Sequence, residues 1–309
     1  MNSLLTFDEH DEDNQRRSAE RRREIRARAR HSLGRRRTLG RLVVVLCALA
    51  LVISLSPLFA MAIYTVSRGL HAWSVDFFTH GPTAVDVAGG GISNAIIGTC
   101  LIVMLGSAIA VPIGITTAIF LVERRGRLAN ALRFAADVMS GVPSIAVGIF
   151  AYAVLVEPLG HFSALSGSFA LAVLMLPIVI RASEAAMLGV PRELWDAGLA
   201  LAARRSRVVR SVVLRGALPS LVTGNLLAVA RAAGETAPLL FTAIGSQLFS
   251  LSPNQPMAAL PLVIYSDGTQ PYASVQQAAW GTALVLLMMV LLLSVGARVV
   301  AARLNRNAR

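Results

Sequence analysis

Six long apolar runs, separated by polar segments, set the pattern of this chain of 309 residues. They cover 42–66, 91–122, 134–156, a run that begins over 167–180, 216–243 and 277–300. Runs of about 20 apolar residues are long enough to cross a bilayer as helices. The pattern therefore predicts an all-α integral membrane protein with six transmembrane helices. Pro112 lies in the second run, Gly141-Val142-Pro143-Ser144 interrupts the third, and Pro177 stands near the end of the fourth. Membrane helices tolerate Gly and Pro where neighbours satisfy the freed backbone groups. Gly141 and Pro143 are read as a hinge, with simple helix packing as the alternative.

The polar segments alternate in arginine content. Residues 1–15 are acidic, and 16–41 carry twelve Arg against Glu20 and Glu24. Residues 1–41 read as a mostly disordered cytoplasmic tail, with helix around 19–30 able to lie on anionic lipid. Arg also collects in 123–133, in 181–215 and at the C-terminus, whereas the intervening segments hold only Arg68. Six spans with both termini in the cytoplasm satisfy this alternation. The organisation expected is a tail at 1–41, an anchor at 42–66, an external segment at 67–90, a core at 91–304 and a cytoplasmic end at 305–309. Trp73, Phe77 and Phe78 suit an interfacial position in the external segment, and 245–276, with four Pro and no Arg, reads as irregular and external. Arg35-Arg36-Arg37 and Ala60-Met61-Ala62 mimic a cleaved export signal. The length of the run between them favours an uncleaved anchor.

Composition narrows the function. The chain is 55% hydrophobic, 15% charged, with mean hydropathy +0.63. Its net charge of +12 would suggest nucleic acid in a soluble protein, but here the charges flank apolar runs and report topology instead. There is no Lys in the sequence, so the lysine of a phosphate-binding P-loop is missing. The five His and the two cysteines, Cys47 and Cys100, show no metal-ligand spacing, and no nucleophile stands beside a base. A non-catalytic chain with no bound metal or cofactor is expected.

Two stretches carry candidate chemistry. From Pro191 to Pro219 a basic segment rich in small residues lies between two apolar runs. Pro191 suits a helix start, and Leu194, Ala197 and Leu201 fall on one face. Small residues from Ala197 through Gly198 to Ala203 keep the helix thin enough to enter a cleft on a partner. An amphipathic helix resting on lipid headgroups fits the same pattern. Further on, Arg231 and Glu235 lie one helical turn apart inside an apolar run. They read either as a mutually neutralised pair that locks packing or as the lining of a path for an anion. Arg181, at the end of the fourth run, reads as a topology anchor or a cytoplasmic gate contact. Asp137 reads as interfacial.

The segment 196–214 resembles the cytoplasmic loop E-A-A-x-x-x-G-x9-I-x-L-P of the binding-protein-dependent ABC permeases. Asp196-Ala197-Gly198 stands for E-A-A, Ala202 for the Gly and Val212-Val213-Leu214 for I-x-L, while Arg215 replaces the Pro. Glu184-Ala185-Ala186 lies too early to be this motif. Arg231-Ala-Ala-Gly-Glu-Thr-Ala-Pro-Leu-Leu-Phe-Thr242 resembles the fifth-span signature of the PstA-type permease family of phosphate importers. Gly90-Gly-Ile92, Gly141-Val-Pro-Ser-Ile145, Leu176-Pro-Ile-Val-Ile-Arg181 and Leu260-Pro-Leu-Val-Ile-Tyr265 extend the likeness over about 90–304.

The resemblance implies a type I ABC importer permease fold with a cytoplasmic coupling helix between spans 4 and 5. It implies a PstC-like second permease, a PstB-like ATPase pair that binds ATP and Mg, and a PstS-like external phosphate-binding protein. The implied coupling residues are Leu194, Asp196, Ala197, Gly198, Leu201 and Ala202; the implied substrate path has Arg231, Glu235, Thr236 and Arg181. An ABC permease for another oxyanion (molybdate or sulfate), a self-contained channel or secondary transporter, and a membrane-anchored regulator are the rival readings.

Overall fold

The computed structural model describes residues 39–83 and 90–307. The tail before Leu39, and the expectations placed on it, lie outside the described residues. The chain divides into two units, Met1–Tyr64 and Thr65–Arg309. In the first, the described residues 39–64 are helical and almost wholly exposed. They belong to α1 (Leu39–Ala72), which starts three residues before the anchor expected from sequence.

In the second unit α2 (Val75–Thr79) follows, capped by Ser74, whose hydroxyl accepts the Phe77 N–H. Of the three aromatics expected at an interface, Phe77 is buried, Phe78 is exposed, and Trp73 donates through Nε1 to the Gly281 carbonyl. Then come α3 (Ser93–Glu123), α4 (Arg127–Ser140), α5 (Ser144–Leu159), α6 (Ala164–Leu188), α7 (Arg192–Ala200), α8 (Arg205–Ala232), α9 (Ala237–Leu240), α10 (Leu260–Gly268) and α11 (Ala273–Asn307). Among the described residues there is no strand, only one isolated bridge between Ile244 and Met257.

Five helices are long and apolar enough to cross a membrane: α1, α3, α6, the helix from Arg205 to Ala232, and Ala273–Arg303 of α11. The pair α4 and α5, bent by 105° between Ser140 and Ser144, makes a sixth if counted as one span.

α6 is the most buried span and packs between α3 and α8. The α3 contact is close because small residues recur on it: Gly106, Ala110, Gly114 and Ala118 are all buried and four apart. Such spacing places them along one side of the helix, and small residues let membrane helices approach to backbone contact. A Cβ on Gly114 would collide with the Val179 side chain. We expect Gly114→Leu to cost about 1–3 kcal/mol through overpacking, read as a lower melting temperature of the purified chain, whereas Gly296→Leu, where a Cβ meets open space, should leave it unchanged.

Several predicted boundaries shift, for identifiable reasons. The fourth helix does not stop near Arg181 but continues to Leu188, because Ser183, Glu184 and Met187 are buried and keep it packed. The fifth begins at Arg205 and stops at Ala232 rather than spanning 216–243. It stops there because Gly234 and Pro238 follow within two turns. The third does not run straight through 134–156. The segment 245–276 is not wholly irregular, since α10 forms in it, and its first N–H, from Leu260, is accepted by Thr99 Oγ1 of α3 at 2.8 Å.

Candidate functional site

Two helix breaks meet beside α6. Pro143 has no N–H to donate and holds φ at −59°, so α4 ends at Ser140 and α5 starts in a new direction. The second break follows Ala232, where the chain tightens: Gly234 N–H bonds the Arg231 carbonyl and Glu235 N–H that of Ala232. Between the breaks lies a cavity of about 380 Å³. Ser140 and Ser144 line it from the first break, Pro177 from α6, and Arg231 and Glu235 from the second. The other lining is apolar.

Arg231 and Glu235 are brought together, though not on one helix face as the i,i+4 spacing predicts, since the helix has ended before Glu235. Arg231 Nε stands 3.8 Å from Glu235 Oε1, too long for a hydrogen bond. The Arg231 side chain is 71% exposed and that of Glu235 is 23% exposed. Neither makes a side-chain hydrogen bond among the described residues. Arg231 occupies the last turn of α8, where the helix dipole favours a cation. Ser140 donates to the Ala136 carbonyl. Thr236 precedes α9 and receives the Leu239 and Leu240 N–H groups on its carbonyl; its side chain is not part of the lining.

Arg181 lies outside that cavity, one turn beyond Ile178 on α6, and its guanidinium is occupied. Nε donates to Asp137 Oδ1 at 2.8 Å, Nη2 donates to Asp137 Oδ2, and Nη1 donates to Glu184 Oε2 at 2.9 Å. Arg133 Nε donates to the other Glu184 oxygen at 2.6 Å, and its Nη2 to the Leu121 carbonyl at 2.7 Å. Two acids and two arginines thus form a neutral ladder from α4 to α6, with Glu184 buried at its centre. In the sequence Glu184 stands outside the loop motif and Asp137 suits an interface; in the structure both pair with arginines. The signal for this was a pair of helical spacings, Arg133 with Asp137 and Arg181 with Glu184, of matching sign on two neighbouring helices.

The coupling-loop expectation lands on a real helix. α7 spans Arg192–Ala200, and Leu194, Asp196 and Ala197 are exposed. Leu199 and Leu201 are exposed as well, Leu201 by 84%. Gly198, however, turns inward: a Cβ there would meet Val208 Cγ1 at 2.9 Å. Its small size serves packing within the loop, where Trp195 and Ala203 also sit against Val208 and Val213. Ala202 lies beyond the helix end at φ +54°, in the left-handed region that glycine adopts without strain. That is the physical reason the loop pattern has Gly at this point. An opening of about 950 Å³, lined by Arg125, Arg192 and Arg205, separates α7 from the ends of α3 and α6.

A family described as binding-protein-dependent transport system inner membrane component matches residues 110–309. The chain belongs to this family.

Full-length relatives agree. A protein of Yersinia pestis named phosphate transport system permease protein PstA is 38% identical over 270 residues, covering 87% of this chain and 92% of that one. A Methanocaldococcus jannaschii protein named probable phosphate transport system permease protein PstA is 35% identical over 250 residues, 80% of this chain and 88% of its own. In Mycobacterium tuberculosis H37Rv, phosphate transport system permease protein PstA 1 is 34% identical over 264 residues, 84% and 86% of the two chains. The first of these similarities is longer than the stretch 90–304 anticipated from motifs, so it takes in residues before Gly90. An inward-facing structure of the MetNI methionine ABC transporter matches with TM-score 0.56 at 19% identity, over 69% of this chain and 95% of that one. A crystal structure of an amino acid ABC transporter with histidines matches at TM-score 0.51 and 17% identity, over 69% and 92%. The fold is that of a type I ABC importer permease.

Proposed function

We propose that this chain is a membrane-spanning permease subunit of an ATP-driven importer of inorganic phosphate. The observation that carries the reading is the cavity between the two helix breaks, with the cation of Arg231 facing it, in a chain whose full-length relatives are named phosphate permeases. The substrate path runs past Arg231, Glu235 and Thr236. The break at Gly141 and Pro143 lets α4 and α5 change their angle as the path opens and closes. Arg181, held in the ladder beside this path, fixes the cytoplasmic wall.

This chain performs no covalent chemistry. ATP and Mg bind to a separate ATPase pair, PstB-like, which receives the exposed face of α7 through Leu194, Asp196, Ala197 and Leu201. Gly198 and Ala202 set the shape of that loop from within. A PstC-like permease completes the path, and a PstS-like binding protein delivers phosphate from outside. Closure of the ATPase pair on ATP moves α7, and α8, joined to it by only four residues, carries the movement to Arg231. Docking of an apolar helix face into a groove is a recurrent way of transmitting such motion.

The test is labelled phosphate uptake by cells that lack their own phosphate importers and make this chain with its partner subunits. Uptake that stops when the ATPase is inactivated is expected. Uptake by this chain alone, without an ATPase, would instead make it a self-contained transporter.

Orientation is tested separately. The chain sits in the inner membrane with both termini in the cytoplasm, by its arginine alternation. In a Cys47→Ala/Cys100→Ala background, His80→Cys and Gln255→Cys should react with an impermeant thiol reagent in intact cells. Leu128→Cys and Arg205→Cys should not; all four original side chains are exposed, so protection would reflect the membrane. Labelling at 205 would sink the arrangement.

A further inference from the structure

The cavity holds a carboxylate, which is an odd group to place on the route of an anion. Its neighbours give it a role. Arg231 offers only donors, and the free Ser144 hydroxyl can donate or accept. Glu235 offers only acceptors, and both its oxygens lack a hydrogen bond among the described residues; its one charged neighbour in the cavity is Arg231 at 3.8 Å. The Ser140 hydroxyl already donates its hydrogen bond to the Ala136 carbonyl, so toward the cavity it presents an acceptor. The lining is therefore mixed: donors on one part, unsatisfied acceptors on another.

An anion with no proton satisfies the donors but leaves the acceptors facing its own lone pairs. A hydrogen-bearing oxyanion satisfies both. We propose that Glu235 is a specificity filter for protonated oxyanions. Its carboxylate accepts the O–H of hydrogen phosphate while Arg231 balances the anion's charge. Phosphate keeps at least one O–H throughout the neutral range, as does arsenate. Sulfate has none, so it meets an acceptor that it can neither satisfy nor escape. Sites that leave a polar group unpaired reject the wrong ligand far more strongly than sites that differ in shape alone.

This inference rests on the path reading above, and the test separates the two. It uses the full chain in membrane vesicles from cells that make its partner subunits, without the external binding protein, whose own selectivity would mask the result. Ser144→Cys, in the Cys47→Ala/Cys100→Ala background, places a thiol in the cavity, and its rate of modification is read with phosphate, arsenate or sulfate at matched ionic strength. With Glu235 present, phosphate and arsenate should slow labelling, and sulfate should need about tenfold higher concentration for the same effect. In Glu235→Gln the amide can donate as well as accept, and the three anions should protect at similar concentrations.

Equal protection by sulfate with Glu235 in place would overturn the filter while leaving the path intact. Sulfate still excluded in Glu235→Gln would overturn the assignment to this residue. No protection by any of the three would overturn the path reading and the filter with it.

Discussion

Phosphate uptake should disappear in the double variant Arg231→Leu/Glu235→Leu, while the protein inserts, assembles with its partners and retains part of its ATPase stimulation. The geometry makes the two outcomes separable. The pair is 3.8 Å apart and its arginine is largely exposed, so it is worth about 1 kcal/mol or less to folding. Removing both charges leaves neither one stranded, which is the costly state. A permeating anion, by contrast, would then cross a cavity whose only remaining polar groups are the two serines. Losing several kcal/mol of charge compensation corresponds to about a hundredfold or greater loss in rate. Arg231→Lys should restore uptake only in part, because a point charge lacks the planar fork. The measurement is uptake normalised to assembled complex. Near-normal uptake in the double variant would make the pair structural and move the anion contact elsewhere.

The second large effect is on stability. Glu184→Ala removes the shared acceptor of Arg133 and Arg181 and leaves Arg133 with backbone and Asn130 contacts only. Stripping one partner from a buried ion pair costs about 3–5 kcal/mol; the partial exposure of Arg133 brings the expected loss to about 2–3 kcal/mol. Assembled complex and its melting temperature should both fall. Arg133→Leu/Glu184→Leu should be milder than Glu184→Ala, and so should Arg181→Ala, which frees the well-exposed Asp137 and leaves Glu184 one of its two arginines, Arg133. The reverse order would show that the ladder does not act as a neutral unit.

The spans were legible because apolar runs of membrane length have few other uses. Where they end was less legible. Arg181 reads as a boundary because it is charged, yet α6 continues for two more turns, since Arg181 pairs with Asp137 and Glu184. Spacing alone could not show that partner on another helix. The helix at Arg192–Ala200 was legible through the loop motif, and Ala202, at φ +54°, stands in the left-handed region where the motif has Gly. Gly198 shows a different limit. Smallness in a sequence does not say which side is crowded, and here it is Val208 of the same chain. For Arg231 and Glu235 the sequence supplied the two residues and their proximity, but not the helix end between them, which turns the acid toward the Ser140–Ser144 break.

The exposed leucines of α7 also bear on subunit stoichiometry. Leu194, Leu199 and Leu201 are exposed on a loop backed by an open cavity. Burial of side chains of this size contributes about 1.5–3 kcal/mol each, so an unassembled copy carries an adhesive patch that an assembled copy hides. A cell that makes this chain in excess over its partners thereby exposes every surplus copy to chaperones and proteases. On the proposed docking of α7 to an ATPase, the surface that transmits force in the complete transporter also marks the orphan for removal.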